Sequence, residues 1–214
     1  MTEVRVRERV ESTGVVAIVR LANYSAAVDV AKALIQGGIS VVEFTYTNPQ
    51  AGRAIESVKQ ALGDDVFAGA GTVLDAETAR DAILHSADFV VTPTVRVETI
   101  RICQRYNVST VIGALSPTEI LTAWEHGATF VKVFPASSVG PGYLKDVAGP
   151  LPQIPLIPTG GVTVGNAGAF IAAGARAVAV GGNLVDRDTV EHARWEELTS
   201  RAGAFIAAVA DARG

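Results

Sequence analysis

The sequence predicts an α/β chain closed as a single (β/α)8 TIM barrel spanning residues 1–214, and three observations carry that expectation. Short apolar runs alternate with amphipathic stretches eight times over. The runs are close to continuously apolar, as strands buried on both faces of a parallel sheet read. Turn and cap signals fall between them. Gly37-Gly38, Gly127 and Gly174 follow helix-like stretches, and Pro49 and Pro117 stand near helix starts. An open doubly wound sheet is the alternative, but no Gly-x-Gly-x-x-Gly fingerprint follows the first apolar run.

Residues 1–13 are charged and read as an extra N-terminal helix. Strand Val15–Val19 is wholly apolar and precedes a helix over Ser25–Gln36, stopped by Gly37-Gly38. Strand Ser40–Thr45 leads to a helix over Pro49–Leu62, with proline at its start. Strand Val66–Ala70 leads to a helix over Ala76–His85, and strand Phe89–Val91 to a helix over Val97–Tyr106. Strand Thr110–Ile112 precedes a helix over Pro117–Glu125, stopped by Gly127. Strand Phe130–Phe134 is β-branched and aromatic around one lysine, and a short helix over Gly142–Val147 follows. Strand Leu156–Pro158 leads to Val164–Ala173, stopped by Gly174, and strand Ala177–Val180 to a long helix over Thr189–Ala210. No composition break marks a second domain.

Composition narrows the function classes. Hydrophobic residues make up 49% and charged residues 19%, enough for a sizeable core. The net charge is −4 and no basic cluster is present, so a nucleic acid or anionic membrane has no electrostatic support as a partner. Cys103 is the sole cysteine, which fits a reducing compartment and a small buried hydrophobe. The charged start is no signal peptide, and the most apolar long stretch, Ala167 to Gly182, contains Arg176 and reads as helix, turn and strand. A cytoplasmic protein is expected. His85 and His126 fall at helix ends and His192 in a charged stretch, and no His and carboxylate cluster has metal-ligand spacing, so no metal or other cofactor is expected.

The informative residue is Lys132, in Phe130-Val131-Lys132-Val133-Phe134. Alternate strand residues share a face, so Lys132 lies with Phe130 and Phe134. An amine buried among them responds by lowering its pKa, and a partly neutral lysine is a nucleophile toward carbonyl carbon. The same parity puts Val41, Glu43 and Thr45 on one face. An inward Glu43 serves either as a general acid/base for that lysine or as its structural ion-pair partner.

Active sites of such barrels lie at strand C-terminal ends. There this sequence has Arg20, Gly69-Ala70-Gly71-Thr72, Thr92-Pro93-Thr94, Thr159-Gly160-Gly161 and Gly181-Gly182-Asn183. Arg20 fits a clamp for carboxylate or phosphate, or a plain surface arginine. Thr72 follows residues small enough to admit a ligand, or N-caps the next helix. Two Gly-Gly pairs after the seventh and eighth strands fit a phosphate site built from backbone N–H groups, or tight turns alone.

Gly127-Ala128-Thr129-Phe130-Val131-Lys132-Val133-Phe134-Pro135-Ala136, with Gly140 following, resembles the Schiff-base signature of the 2-keto-3-deoxy-6-phosphogluconate (KDPG) / 4-hydroxy-2-oxoglutarate aldolase family. Glu43-Phe44-Thr45, Gly69-Ala70-Gly71-Thr72-Val73, Thr92-Pro93 and Pro158-Thr159-Gly160-Gly161-Val162 match as well, so the resemblance covers roughly residues 14 to 185. It implies a metal-free class I aldolase, usually a homotrimer. Lys132 would form the Schiff base, Glu43 would move protons, and Thr72 would bind the pyruvate carboxylate. Arg20 would contact the substrate, Gly160, Gly161, Gly182 and Asn183 would hold its phosphate, and Phe134 and Pro93 would shape the pocket. One position departs from the pattern. Phosphogluconate-specific members carry an arginine four residues after the glutamate, and here that position is Thr47, as in the 6-phosphogalactonate branch. The resemblance thus implies cleavage of a 2-keto-3-deoxy-6-phospho sugar acid, of gluconate or galactonate type, to pyruvate and glyceraldehyde 3-phosphate. An unphosphorylated 4-hydroxy-2-oxoglutarate substrate, or a non-catalytic barrel that binds keto acids or serves in assembly, is the alternative.

Overall fold

A computed structural model describes residues 2–214. Met1, within the expected N-terminal helix, lies outside the described residues. Eight parallel strands form one sheet in the order β7-β6-β5-β4-β3-β2-β1-β8. They are β1 (Val15–Val19), β2 (Val41–Thr45), β3 (Phe67–Gly71), β4 (Phe89–Val91), β5 (Ser109–Ala114), β6 (Phe130–Val133), β7 (Leu156–Pro158) and β8 (Val178–Val180). A single bridge between Thr159 and Ala179 joins β7 to β8 and closes the barrel. The expected (β/α)8 architecture is the observed one.

The helices are α1 (Thr2–Thr13), α2 (Ala27–Gln36), α3 (Ala51–Leu62), α4 (Ala76–Leu84), α5 (Val97–Arg105), α6 (Pro117–Glu125), α7 (Gly140–Ala148), α8 (Val164–Ala172), α9 (Arg187–Glu191) and α10 (Trp195–Arg213). Local chemistry sets their ends. Asp75 caps α4 by accepting the Thr78 N–H at 2.7 Å. Ser116 and Glu119 form a capping box on α6, with Pro117 in the first turn. Gly38, Gly127 and Gly174 follow their helices with φ of 94°, 89° and 100°, the left-handed conformation their lack of Cβ permits. β6 ends one residue early, because Pro135 has no N–H to extend the ladder beyond Phe134. α2 and α3 each start two residues later than expected. Before α3, Asn48 Oδ1 accepts the Gln50 N–H at 2.9 Å and holds a turn instead.

The expected final helix over 189–210 is two helices. α9 ends at Glu191 with His192 as its C-cap, Ala193 turns to φ 52°, and α10 begins at Trp195. The Arg194 N–H donates to the Thr189 carbonyl and the Ala193 N–H to the Val190 carbonyl, a paired C-terminal cap that stops α9.

Strand parity builds two apolar layers. Val15, Ala17, Val19, Val42, Phe44, Val131 and Val133 face the surrounding helices. Val16, Ile18, Val41, Phe67, Phe89, Val111, Phe130 and Ile157 fill the barrel. Val6 and Val10 of α1 join that inner cluster and plug one end. Arg9 fastens the plug, its guanidinium 5.0 Å from the Phe67 ring centroid and its Nη1 donating to Ser40 Oγ at 3.1 Å. The other mouth, where the strands end, stays open to ligands. No helix among the described residues is long and apolar enough to cross a membrane.

Candidate active site

The inward positions change character along the strands. Below, they are apolar. Near the C-terminal ends they become Glu43 on β2, Gly71 on β3, Gly113 on β5, Lys132 on β6 and Thr159 just after β7. Register confirms the levels: Glu43 pairs with Ile18 and Gly69, and Lys132 with Gly113 and Ile157. Both charged groups are buried, Glu43 with 1% and Lys132 with 7% of its surface exposed.

Burial dominates both titrations and acts in opposite directions. It pushes the Lys132 ammonium down from the ordinary lysine range, with Glu43 opposing the shift and Arg20 adding to it. It pushes the Glu43 carboxyl up, with Lys132 and Arg20 opposing. No ion pair within 4.0 Å joins them among the described residues. Burial thus favours the neutral form of each group, the free amine and the carboxylic acid. Lys132 Nζ lies 5.1 Å from the Phe134 ring centroid, which leaves the amine beside an aromatic wall.

Glycines make the room. A Cβ on Gly71 would stand 1.7 Å from Glu43 Oε1, so the carboxylate lies directly over that backbone. A Cβ on Gly113 would stand 2.2 Å from the Pro93 carbonyl carbon, so β5 closes against the end of β4 beside Lys132. Thr92 pins this junction. Its hydroxyl accepts the Gly113 N–H at 3.1 Å and donates to the Thr94 carbonyl at 2.7 Å. Thr72 has φ 58°, a left-handed conformation that costs a β-branched residue roughly 1–3 kcal/mol. It is not the N-cap of α4; Asp75 holds that position, and Thr72 is left at the mouth.

A cavity of about 490 Å³ opens at the mouth, lined by Arg20, Phe134, Thr159, Gly160, Gly161, Gly181, Gly182 and Asn183. Those eight expected residues thus line one cavity. Glu43, Lys132, Thr72 and Pro93 are not part of it; Lys132 adjoins it through the Phe134 ring. Thr159 is 96% buried, and among the described residues its hydroxyl has no hydrogen-bond partner. Asn183 Nδ2 donates to the Val162 carbonyl at 2.7 Å and ties the two Gly-Gly loops together, so one of its amide hydrogens is already engaged. Thr47 is exposed and its hydroxyl meets that of Thr45 at 2.9 Å, on the rim where β2 ends.

Ile18, Val162, Ala179, Val185, Asp186 and Arg187 also line the cavity and were not expected. Parity on β1 and β8 could have found Ile18 and Ala179. Arg187 had only a weak signal, its place four residues beyond Asn183. His85 and His126 sit at helix ends as expected, and His192, expected within a charged stretch, caps α9; their Nδ1 atoms lie 2.8–2.9 Å from carbonyls one turn back. Cys103 is buried and its thiol is pushed up to about 12 by burial, so it stays protonated.

The family model for KDPG and KHG aldolase matches residues 6–201. The 2-dehydro-3-deoxy-phosphogluconate aldolase of Treponema pallidum is 34% identical over 195 residues, covering 90% of this chain and 92% of its own. The 2-dehydro-3-deoxy-6-phosphogalactonate aldolase of Escherichia coli is 33% identical over 181 residues, covering 84% and 86%. The crystal structure of KDPG aldolase from Legionella pneumophila, with pyruvate captured at low pH as a covalent carbinolamine intermediate, superposes with a TM-score of 0.85 at 26% identity, covering 93% and 97%.

Proposed function

This chain belongs to the KDPG and KHG aldolase family, and on that premise we propose that it cleaves a 2-keto-3-deoxy-6-phospho sugar acid to pyruvate and glyceraldehyde 3-phosphate through a Schiff base on Lys132. The observation that carries the reading is an amine buried in the barrel, driven toward its neutral form, with a carboxyl raised toward its own neutral form nearby. Neutral Lys132 Nζ attacks the C2 carbonyl carbon, and Glu43 delivers a proton to the oxygen, giving a carbinolamine. Loss of water from C2 leaves a protonated imine. Glu43 then takes the proton of the C4 hydroxyl, the C3–C4 bond breaks, and its electron pair flows into the imine to give an enamine. Protonation at C3 and hydrolysis at C2 release pyruvate and restore the amine.

Binding follows charge. Arg20 and Thr72 hold the carboxylate beside C2, with the unpartnered Thr159 hydroxyl as a further donor. The N–H groups around Gly160, Gly161, Gly182 and Asn183 hold the phosphate at the other end of the cavity. Phe134 and Pro93 shape the walls. Incubation with pyruvate and borohydride, read by peptide mass spectrometry, is expected to add one three-carbon unit at Lys132. Active protein with Lys132 unmodified sinks the mechanism. The absence of an arginine at Thr47 favours a second reading, the galactonate epimer, which kcat/KM on both C4 epimers decides. A cytoplasmic homotrimer goes with the family reading, and light scattering in solution tests the trimer.

A further inference from the structure

Three charged side chains line the cavity: Arg20, Arg187 and Asp186. They are not equivalent. The Arg20 charge reaches both Glu43 and Lys132 and disfavours protonation of each, so it belongs to the end where bonds are made and broken. Asp186 is already satisfied. It accepts the Thr189 N–H at 2.9 Å and hydroxyl at 2.8 Å, and it pairs with Arg201. Arg187 faces the cavity from the start of α9. Its Nε donates to Glu191 Oε1 at 2.6 Å, one turn along the same helix. That contact uses one of its five donors and leaves both terminal amino groups without a protein partner among the described residues. The side chain is 74% exposed, at the mouth and not in the core.

We propose that Arg187 is a specificity-determining residue that reads the charge on the distal phosphate of the substrate, an assignment that rests on the phosphorylated-acid reading above. Backbone N–H groups supply hydrogen bonds but no net charge, whereas a phosphate monoester carries about −1.5 to −2 at neutral pH. A guanidinium fork meets two phosphate oxygens at once and supplies the missing positive charge. Arg187 is the cavity cation not committed to the reacting carbons. Glu191 fixes its Nε edge and reduces the side-chain freedom lost when a ligand binds. A substrate ending in a hydroxyl presents nothing for this group to match.

Steady-state kinetics of the full chain test the assignment, comparing wild type, R187Q and R187K on a 2-keto-3-deoxy-6-phospho sugar acid and its unphosphorylated counterpart. Inorganic phosphate serves as the competing probe. R187Q is expected to lower kcat/KM for the phosphorylated acid about ten- to a hundredfold more than for the unphosphorylated one, mainly through KM. The inhibition constant for phosphate rises with it, and R187K recovers part of the loss. If wild type prefers the phosphorylated acid and R187Q keeps that preference, the role of Arg187 is overturned while the substrate reading stands. Equal losses on both acids overturn it too, since they mark Arg187 as a support for α9. A wild-type enzyme indifferent to the phosphate overturns the substrate reading and the Arg187 role together.

Discussion

Lys132 and Glu43 are costly residues to bury, and the fold keeps them where a satisfied apolar pair would pack better. The consequence is chemical. Below its own pKa the Lys132 amine is protonated and inert; above it the amine attacks. Because burial lowers that pKa, the rate of borohydride trapping with pyruvate is expected to rise with pH through a midpoint below the ordinary lysine value of 10.5. A midpoint at 10.5 in a trapping-rate profile contradicts a desolvated amine. Gly71 controls the partner. A methyl there displaces the Glu43 carboxylate, and a displacement of about 1 Å costs on the order of a hundredfold in rate. G71A is expected to lose about that much kcat in wild type and little more in an E43A background, which a double-mutant cycle reads directly. An equal loss in both backgrounds removes the link to Glu43.

Among the elements, those with strong local signals were legible in the sequence and those decided by through-space contact were not. Strand parity put Glu43 and Lys132 inside the barrel, because a period of two leaves no choice of face once the strand is assigned. Pro117 at the start of α6 and the glycines after α2, α6 and α8 marked their termini. The break between α9 and α10 had no such mark. Ala193 occupies the left-handed cap position where glycine is usual, so the apolar and charged pattern ran on through it. Arg187 was missed because the expected helix began at Thr189, whereas α9 starts at Arg187 behind the Asp186 cap, and the loop after β8 brings that start to the cavity. Ala193 pays for its conformation in strain. A193G is expected to stabilise the chain by about 0.5–1 kcal/mol in chemical denaturation, as relief of left-handed strain outweighs the entropy glycine adds to the unfolded chain. A destabilised variant means that the alanine methyl packs usefully at the junction.

At the scale of the molecule, one end of the barrel is sealed by α1 and the other is open, so substrate and product share one entrance. The ring of strands is uneven. Seven neighbouring pairs are held by ladders, and the eighth contact, β7 to β8, is a single bridge reinforced by Asn183 reaching across to Val162. A ring breaks at its weakest link, and here that link lies beneath the two Gly-Gly loops. An anion gripped from both sides would fasten the ring shut in the manner of a clasp. Amide hydrogen exchange in β7 and β8 is therefore expected to slow on adding a phosphorylated ligand, while β3 and β4 change little. Uniform slowing across all eight strands would assign the stabilisation to the whole barrel instead. The chain alone closes the hoop of this barrel loosely, and a phosphorylated ligand between the two Gly-Gly loops is expected to tighten it.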